Sequence, residues 1–382
     1  MTPAAGSRLG PGRHVLVCGG AGFIGSCFVR DLLARGDGTR VTILDLLTYA
    51  GNRANLAPVE ADPEQAARLA FVHGDIADPA MVGPLVAGSD AVVNFAAESH
   101  VDRSILDPGA FLRTGVIGVH VLLEAVLRET ERARRGERTD ASGRPLPAPR
   151  LLQVSTDEVY GSVEEGSSRE GDPLAPRSPY AAAKAAGDLL VGSYRGTYDL
   201  DVVLTRGANT YGPYQHPEKL IPLVTTNALL GLPIPLYGDG LQRRDWLHVA
   251  DHAAAIAYVL DHGEPGGVYN IPGGTERANR EIVAALLAAL GRPWDLVRRV
   301  PDRPGHDRRY AMDGSRLAGL GWTAAVTFAD GLAATAAWYR DNERWWRAIR
   351  DGAWDAYYDR QYGMRLAVGE AVPAPPGWGS GA

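Results

Sequence analysis

Short, unbroken apolar runs alternate with helical patterns along the first part of the chain. These runs lie at residues 14–18, 41–44, 71–74, 91–95, 151–154 and 202–205, with a further run at 268–271. Unbroken apolar runs of this length are typical of strands that are buried on both faces. Amphipathic stretches such as 26–35 and 116–134 fit helices between the strands. The alternation predicts an α/β fold with a doubly wound parallel sheet and right-handed crossovers.

The regular alternation stops after residue 205. Polar segments at 216–222 and 242–246 are set among apolar helical stretches, and an amphipathic helix follows at 328–340. We therefore predict a smaller, mainly C-terminal second domain, and we interpret the charged, proline-rich residues 135–150 as a surface insertion. The predicted bounds are 13–205 and 246–274 for the first domain, 206–245 and 275–350 for the second, and 1–12 and 370–382 for loose tails.

Composition and charge favour a globular enzyme. Hydrophobic and charged fractions of 45% and 22% over 382 residues are ordinary for a protein with a large core. The net charge of −6 argues against nucleic acid as a partner. Cys18 and Cys27 are the only cysteines, too few for a disulfide framework. No apolar run has the length of a membrane span, and residues 1–13 lack the core of a signal peptide. We therefore expect a cytoplasmic protein with no membrane partner.

Residues 178–194 carry a candidate catalytic pattern. Ser178 and Pro179 are a helix start signal, so Tyr180 and Lys184 fall four residues apart on one helical face. A lysine one turn away stabilises a phenolate and lowers the pKa of the tyrosine, which makes a usable acid or base at neutral pH. The pattern is short and also arises by chance. Lys184 and Lys219 are the only lysines among 39 Lys and Arg residues, so the chain strongly prefers arginine. Either these two positions need a compact ammonium, or two lysines remain there by chance.

A glycine-rich turn follows the first strand. Gly19, Gly22 and Gly25 lie between the strand at 14–18 and the helical stretch at 26–35. In this context backbone N–H groups can approach a pyrophosphate at a helix N-terminus. The spacing is G-x-x-G-x-x-G rather than the commoner G-x-G-x-x-G. We nevertheless prefer a dinucleotide site to a purely structural turn.

Acidic residues after the second and third strands extend the predicted cofactor site. Asp45, twenty residues past Gly25, can accept from a ribose 2′-OH and would repel a 2′-phosphate, so NAD is favoured over NADP. Asp75 can reach an adenine edge, although a loop-capping role suits it nearly as well. Ala96 and Ala97 follow the fourth strand, and such small residues let the backbone come close to a ligand.

Two neighbouring carboxylates follow the fifth strand. Asp157 and Glu158 come after the run at 151–154, at the strand end where ligands bind in open parallel sheets. Adjacent carboxylates are costly unless they are exposed or used in acid–base chemistry. An exposed acidic turn and a catalytic pair therefore both fit this pattern.

Cations further along the chain are candidates for binding phosphate. Arg244 and Arg303 have the forked guanidinium that clamps a diphosphate, and Lys219 offers a point charge. Each of them alone also fits a solvated surface residue. We predict no metal site.

Segments along most of the chain resemble the signatures of one enzyme superfamily. Between about residues 14 and 340 they are GGAGFIGS, LTYAGN, AAESHVDRS, STDEVYG, SPYAAAK, YGPYQHPEKLIP, RDWLHV and DRPGHDRRYAMD. In this order they resemble the extended short-chain dehydrogenase/reductase superfamily and, within it, the family of dTDP-glucose 4,6-dehydratases. The resemblance implies a Rossmann-type NAD-binding first domain and a second domain that binds a nucleotide sugar.

The resemblance also implies a cycle of oxidation, elimination and reduction on dTDP-glucose that feeds deoxysugar biosynthesis. Tyr180 would take the proton of the sugar 4-OH, with Lys184 as its partner and Thr156 bonded to the same hydroxyl. After NAD has oxidised C4, Glu158 would remove the C5 proton and Asp157 would protonate the departing C6 hydroxyl. The hydride then returns to C6. Such a pair needs one carboxylate ionised while its neighbour is protonated.

The resemblance further implies two sets of binding residues. It also implies a homodimer that forms through the helices at 116–134 and 178–194. The NAD set is Gly19, Gly22, Phe23, Ile24, Gly25, Asp45, Asp75, Ile76, Ala97, Ser99, Thr114, Tyr180 and Lys184. The substrate set is Ser99, Thr156, Asn209, Glu218, Lys219, Arg244, Asn279, Arg303, His306 and Tyr310. The chain departs from the family at Gly115 and Thr210, where the family usually has Asn.

Several other functions fit parts of the pattern. A dehydratase on another nucleoside diphosphoglucose shares every feature above. A sugar 4-epimerase or a UDP-glucuronate decarboxylase would have no use for an acid at C6, so the pair of Asp157 and Glu158 argues against both. A non-catalytic NAD-sensing module is expected to lose the tyrosine or the lysine, and this chain keeps Tyr180 and Lys184.

Overall fold

A computed structural model describes residues 9–140, 142–302, 306–350, 352–375 and 378. The strands are β1 (His14–Cys18), β2 (Arg40–Asp45), β3 (Leu69–His73), β4 (Ala91–Asn94), β5 (Arg150–Thr156), β6 (Val202–Gly207), β7 (Asn209–Tyr211), β8 (Ile234–Tyr237), β9 (Arg243–His248), β10 (Val268–Ile271), β11 (Glu276–Ala278), β12 (Val297–Val300) and β13 (Glu370–Ala371). The helices are α1 (Phe23–Ala34), α2 (Ala57–Glu60), α3 (Pro63–Ala66), α4 (Pro79–Ala87), α5 (Val101–Leu106), α6 (Pro108–Leu112), α7 (Val119–Arg134), α8 (Pro179–Tyr198), α9 (Leu220–Leu230), α10 (Val249–His262), α11 (Asn279–Leu290), α12 (Ser315–Gly319), α13 (Phe328–Asp341), α14 (Glu343–Ile349), α15 (Gly352–Tyr358) and α16 (Met364–Ala367). Tighter 3₁₀ turns span Arg53–Leu56, Asp157–Tyr160 and Trp294–Leu296, and π-helical segments span Arg113–Gly118 and Asp359–Gly363.

The first strands form one seven-stranded sheet in the order β3-β2-β1-β4-β5-β6-β10. Each neighbouring pair in it is parallel. The strand order reverses direction between β1 and β4, and a crevice opens outside the carboxyl ends of strands at such a switch point. The predicted doubly wound, Rossmann-type sheet is confirmed.

Helices cover both faces of this sheet, which explains why its strands are apolar without a break. On one face α1 and α10 pack together and bury Phe28 and Ile256. On the other face α4, α7 and α8 bury Val86, Leu122 and Val191. Strands covered on both sides have no face left for polar side chains.

The helix before α8 differs from the prediction. A single helix was expected over 116–134, but residues Arg113–Gly118 are π-helical and α7 begins at Val119. The π-helical segment lies close to α8, because a Cβ on Gly115 would stand 3.2 Å from that of Ala183 and a Cβ on Gly187 only 2.8 Å from the Gly115 carbonyl oxygen. Gly115, a departure from the family pattern, therefore lies at a close helix crossing.

Against the expectation that no apolar run has the length of a membrane span, the helical stretch Pro108–Arg134 has the length and composition of a membrane-spanning helix. Its mean hydropathy over the most apolar window is 1.7, and 44% of that window is buried inside the protein. Core helices of other proteins pass the same test, and α7 packs against α4 and α8. One such helix is weak evidence for a membrane span.

The remaining elements build a second hydrophobic core. Helices α9, α11 and α13 bury residues such as Val224, Leu286 and Ala336 around the small sheets β11-β9-β7 and β13-β12-β8. The strand β10 then returns to the large sheet, where it pairs with β6. Because β7 follows β6 after one residue, the two cores meet at the carboxyl edge of the large sheet.

The C-terminal tail is partly ordered, against the prediction of a loose segment from residue 370. Glu370 and Ala371 form β13, which pairs antiparallel with Arg299 and Arg298 of β12. An edge strand has unpaired backbone groups that attract such an addition. Residues 1–8, 376–377 and 379–382 of the predicted tails lie outside the described residues.

Candidate active site

The glycine turn after β1 has a geometry that only glycine permits. Gly19 adopts φ +76°, and a Cβ there would stand 2.6 Å from the Ala96 backbone nitrogen. A Cβ on Gly25 would stand 2.3 Å from the Gly19 carbonyl oxygen. Gly22 caps α1 without a side chain, so no side chain covers the first amides of the helix. This cradle suits a pyrophosphate, which satisfies such amides, and it therefore fits a dinucleotide cofactor.

Replacement of Gly25 by Ala should lower the affinity for NAD by at least roughly tenfold, because the added methyl group forces the turn and the start of α1 apart. The measurement is NAD binding by titration of the purified protein. Gly83→Ala on α4 is the matched control, since its Cβ would meet nothing within 4 Å. Equal NAD affinity in the two variants would refute the cradle.

The acidic residues of the predicted cofactor site are held by backbone amides. Asp45 ends β2, where its carboxylate accepts from Ala21 N at 2.9 Å and from Leu47 N at 2.8 Å. Asp75 accepts from Ala77 N at 2.8 Å and pairs with Arg113 at 2.9 Å. The loop-capping role of Asp75 is therefore observed.

One cavity brings together most of the predicted cofactor and catalytic residues. Its lining includes Gly19, Gly22, Phe23, Ile24, Gly25, Asp45, Asp75, Ile76, Ala97, Ser99, Thr114, Thr156, Asp157, Glu158, Tyr180, Lys184, Asn209 and Lys219. The same cavity runs from the glycine turn to the carboxylates at the end of β5. The cavity therefore joins the candidate cofactor cradle to the candidate catalytic residues.

The carboxylate pair stands at the end of β5. Thr156 is the last residue of the strand, and its hydroxyl donates to Asp157 Oδ1 at 3.0 Å and accepts from Glu158 N at 3.3 Å. Asp157 is 4% exposed, so the alternative of an exposed acidic turn is wrong for this residue. Burial and the neighbouring Glu158 raise the pKa of Asp157 to about 8. A carboxylic acid that stays protonated at neutral pH can act as a proton donor.

The helix α8 carries Tyr180 and Lys184 into the same cavity. Ser178 caps it by accepting from Ala181 N at 3.1 Å, as predicted. Lys184 Nζ donates to Val154 O at 2.6 Å, and burial lowers the pKa of Lys184 to about 8. This lysine therefore keeps most of its charge at neutral pH.

In the protein alone the pKa of Tyr180 is raised, against the prediction of a lowered pKa. Burial and the charge of Glu158 raise the pKa of Tyr180, and a contact with Thr156 only partly opposes this. The ring of Phe111 packs edge-on against Tyr180 at 6.2 Å between centroids. In the protein alone the Tyr180 hydroxyl therefore stays protonated at neutral pH.

The predicted substrate residues fall into two groups. Lys219 lines the cavity, and its ammonium donates to the Ser99 carbonyl oxygen. Glu218 is buried and accepts from Arg103 Nε at 2.9 Å. Burial alone would raise the pKa of Glu218, but four neighbouring basic side chains, in their protonated forms, hold that pKa at about 2; they are His100, His216, Lys219 and Arg103.

In the second group, Arg244 and Tyr310 lie near the carboxylate pair and are not among the residues that line the cavity. Arg244 stacks 4.3 Å over the ring of Tyr310, whose hydroxyl donates to Asp307 at 2.6 Å. Burial and, after it, the charge of Glu158 raise the pKa of Tyr310, so Tyr310 and Glu158 are neighbours. The other predicted members are His306, which contacts Asp302 at 2.6 Å, and Asn279 at the start of α11. Arg303 lies outside the described residues.

Several lining residues were not predicted. Thr48, Ala50 and Gly51 belong to the segment LTYAGN, which resembles a family signature but predicted no role for these three residues. Glu98 lies in the segment AAESHVDRS, in which Ala97 and Ser99, but not Glu98, were predicted to bind the cofactor. His252 on α10 also lines the cavity, and no sequence pattern marked it.

Comparisons with known proteins agree with this geometry. A sequence model of the GDP-mannose 4,6 dehydratase family matches residues 16–335. The chain is 52% identical over 343 residues to a dTDP-glucose 4,6-dehydratase of Streptomyces niveus, covering 88% of this chain and 96% of that one. It is 50% identical over 352 residues to a dTDP-glucose 4,6-dehydratase of Xanthomonas campestris, covering 89% and 96%.

Solved structures are similar as well. DesIV, a dTDP-glucose 4,6-dehydratase from Streptomyces venezuelae solved with NAD bound, has a TM-score of 0.80 and 51% identity, covering 88% of this chain and 99% of that one. A UDP-glucose 4-epimerase from Thermus thermophilus in complex with NAD has a TM-score of 0.74 and 33% identity, covering 86% and 99%.

Proposed function

Because the chain belongs to the dTDP-glucose 4,6-dehydratase family of the extended short-chain dehydrogenases/reductases, we propose that it is an NAD-dependent hydro-lyase. It converts dTDP-glucose to dTDP-4-keto-6-deoxyglucose and feeds deoxysugar biosynthesis. The observation that carries this function is the buried acid Asp157 next to Glu158, in one cavity with Tyr180 and Lys184. An epimerase has no step that would use such an acid.

We propose that Tyr180 starts the reaction by taking the proton of the sugar 4-OH while Thr156 orients that hydroxyl. NAD supplies the acceptor for the C4 hydride, a positive ring that favours the phenolate, and the hydride that is later returned to C6. Lys184 contributes a second positive charge next to the tyrosine. The ketone formed at C4 then acidifies the hydrogen on C5.

The carboxylate pair performs the elimination. Glu158 takes the C5 proton, the C–O bond at C6 breaks, and Asp157 gives its proton to the departing oxygen, so water leaves. The C5–C6 double bond then accepts the hydride at C6 and, at C5, the proton that Glu158 holds, and the proton that Tyr180 took from the 4-OH replaces the one that Asp157 gave up. The hydride taken from C4 is thus returned to the sugar, so no external oxidant or reductant is consumed.

We propose two sets of ligand contacts, one for the cofactor and one for the substrate. We propose that the cofactor contacts are Gly19, Gly22, Phe23, Ile24, Gly25, Asp45, Asp75, Ile76, Ala97, Ser99, Thr114, Tyr180 and Lys184. The proposed substrate contacts are Ser99, Thr156, Asn209, Glu218, Lys219, Arg244, Asn279, Arg303, His306 and Tyr310. Residues 13–205 and 246–274 would form the NAD-binding domain, and 206–245 with 275–350 the nucleotide-sugar domain.

We further propose a homodimer in the cytoplasm, and exposed apolar side chains on α8 and on the π-helical segment support the dimer. Ile117 is 50% and Leu189 66% exposed, although both belong to helices that are otherwise well packed. An apolar helix pair left open to water is a common interface. The molecular mass in solution tests this part.

The test of the function is incubation with dTDP-glucose and, separately, with UDP-glucose. The 4-keto product absorbs in base, so its formation is followed directly. Product from dTDP-glucose at a higher kcat/KM than from UDP-glucose is the expected result. No product from either substrate would overturn the assignment.

The activity should fall as the pH rises above about 8. Asp157, with a pKa raised to about 8, loses the proton that it must donate, and Lys184, with a pKa lowered to about 8, loses its charge. Because two groups each lose a proton, the decrease in rate on the alkaline side approaches roughly a hundredfold per pH unit. The measurement is kcat against pH. In Asp157→Asn the fall of the residual rate above pH 8 should depend on the loss of one proton, that of Lys184, instead of two. A rate that stays constant above pH 8 would contradict the assignment of Asp157 as the acid.

A further inference from the structure

A buried ion pair lies directly behind the proposed catalytic residues. Asp188 stands one turn after Lys184 on α8, and its Oδ2 accepts from Arg206 Nε at 2.9 Å. The two side chains are 2% and 6% exposed. Taking two charges out of water costs free energy, so a buried pair is weak evidence for stability alone. Its partners point to another role.

Arg206 connects this pair to the turn that carries the carboxylates. Its Nη1 donates to the Tyr160 hydroxyl at 2.7 Å and to Glu170 O at 3.2 Å. Tyr160 is the last residue of the turn Asp157–Tyr160, and Arg206 stands next to the residue of β6 that pairs with Thr156. One guanidinium thus holds both α8 and the carboxylate turn.

The far end of the turn is held by the same network. The Tyr160 hydroxyl donates to Asn270 Oδ1 at 2.8 Å, and Asn270 Nδ2 donates to Ser168 O at 3.1 Å. The next residue, Gly161, has φ +78°, and a Cβ there would stand 2.4 Å from Ala175 O. The Tyr160 hydroxyl is therefore held from two sides, by Arg206 and by Asn270.

Asp188 also acts on the charge of Lys184. Burial lowers the pKa of Lys184, and Asp188 opposes this change. Burial raises the pKa of Asp188 itself, while Arg206, Ser155 and Lys184 lower it. The other titratable groups that face this region are Tyr180 on α8 and Asp157, Glu158 and Tyr160 on the turn.

Building on the proposed function, we propose that Asp188 and Arg206 are positioning residues for both halves of the reaction. Their ion pair fixes α8, with Tyr180 and Lys184, against the turn Asp157–Tyr160. Asp188 also keeps Lys184 in its ammonium form. Reacting groups that are misplaced by about 1 Å lose on the order of a hundredfold in rate, so such a link between two catalytic elements has a large effect.

Asp188→Asn tests the electrostatic part because the amide keeps the shape and removes the charge. Without the neighbouring carboxylate, Lys184 gives up its proton at lower pH. The alkaline limb of C4 oxidation should therefore move down by about one pH unit. Single-turnover reduction of the bound cofactor, followed by its near-ultraviolet absorbance across pH, measures this limb.

Arg206→Lys and Tyr160→Phe test the geometric part. A lysine keeps a positive charge beside Asp188 but lacks the planar fork that reaches two partners at once, and Tyr160→Phe removes one oxygen only. Both variants should slow elimination by about tenfold while leaving the alkaline limb of oxidation in place. The fraction of cofactor that is reduced at steady state should therefore rise.

Asp261→Asn is the matched control. Asp261 forms a buried ion pair with Arg13, just before β1, so it lies at the opposite end of the sheet from the cavity. This variant should show the wild-type alkaline limb and the wild-type fraction of reduced cofactor, even where its melting temperature falls.

The outcomes separate this inference from the function on which it rests. If the wild-type protein forms product but Asp188→Asn keeps the wild-type limb, or Tyr160→Phe keeps the wild-type fraction of reduced cofactor, the positioning role is wrong. If the wild-type protein forms no product, the proposed function fails instead. If Asp188→Asn does not fold, Tyr160→Phe decides alone.

Discussion

Replacing Asp157 with Asn is expected to lower kcat on dTDP-glucose by roughly 10²- to 10⁴-fold, the usual contribution of a general acid. Oxidation at C4 depends on Tyr180 and Thr156, which remain, so the cofactor should become reduced and stay reduced. The departing C6 oxygen then has no proton source, and elimination stalls. Stopped-flow absorbance of the reduced nicotinamide, compared with product formation, measures both events.

The matched variant Glu158→Gln distinguishes the acid from the base. In deuterium oxide, Asp157→Asn should still exchange the C5 hydrogen of the oxidised sugar, because Glu158 is intact. Glu158→Gln should not exchange it, although it also accumulates reduced cofactor. Exchange in both variants, or in neither, would contradict the assigned roles.

The loss of activity in Asp157→Asn should not come from a weaker fold. Burial and Glu158 raise the pKa of Asp157 from its ordinary value of 3.8 to about 8. The native state therefore binds more protons than the unfolded state between these values, and stability is lost as the pH rises through that window. Asn carries no charge, so the variant should melt at the same temperature as the wild type or higher at pH 8. A clearly lower melting temperature would mean that Asp157 has a structural role.

Replacing Tyr180 with Phe is expected to abolish the first step, with a loss in kcat of roughly 10³-fold or more. The ring keeps its place against Phe111, but the group that takes the 4-OH proton is gone. Unlike Asp157→Asn, this variant should show no reduced cofactor when it is mixed with dTDP-glucose. The measurement is the same near-ultraviolet absorbance in a single turnover.

Tyr198→Phe on the same helix is the control for Tyr180→Phe. Its side chain is 41% exposed and lies at the C-terminal end of α8, away from the cavity. It should turn over at the wild-type rate. Reduction of the cofactor by Tyr180→Phe at near wild-type rate would show that another group takes the proton.

The large sheet could be predicted from the sequence because its signals are local. Apolar runs, the glycine turn and the capping signal at Ser178 depend on neighbouring residues, and the strands, α1 and α8 form close to where these signals place them, although α1 begins at Phe23 rather than at residue 26. The π-helical segment Arg113–Gly118 could not be predicted in this way, since it depends on how closely α8 approaches. The pairing of Glu370–Ala371 with β12 likewise joins residues far apart in the chain.

In the candidate site, too, local features could be predicted from the sequence and features that depend on tertiary contacts could not. Spacing alone placed Tyr180 and Lys184 on one helical face, and the chemistry of a tyrosine, a lysine and two carboxylates is written in the residue types. The protonation of these groups is not, because a pKa depends on burial and on charges that folding brings near. Only the folded chain keeps Asp157 protonated, directs Lys184 to Val154 O, raises the pKa of Tyr180 and sets Arg206 against Asp188.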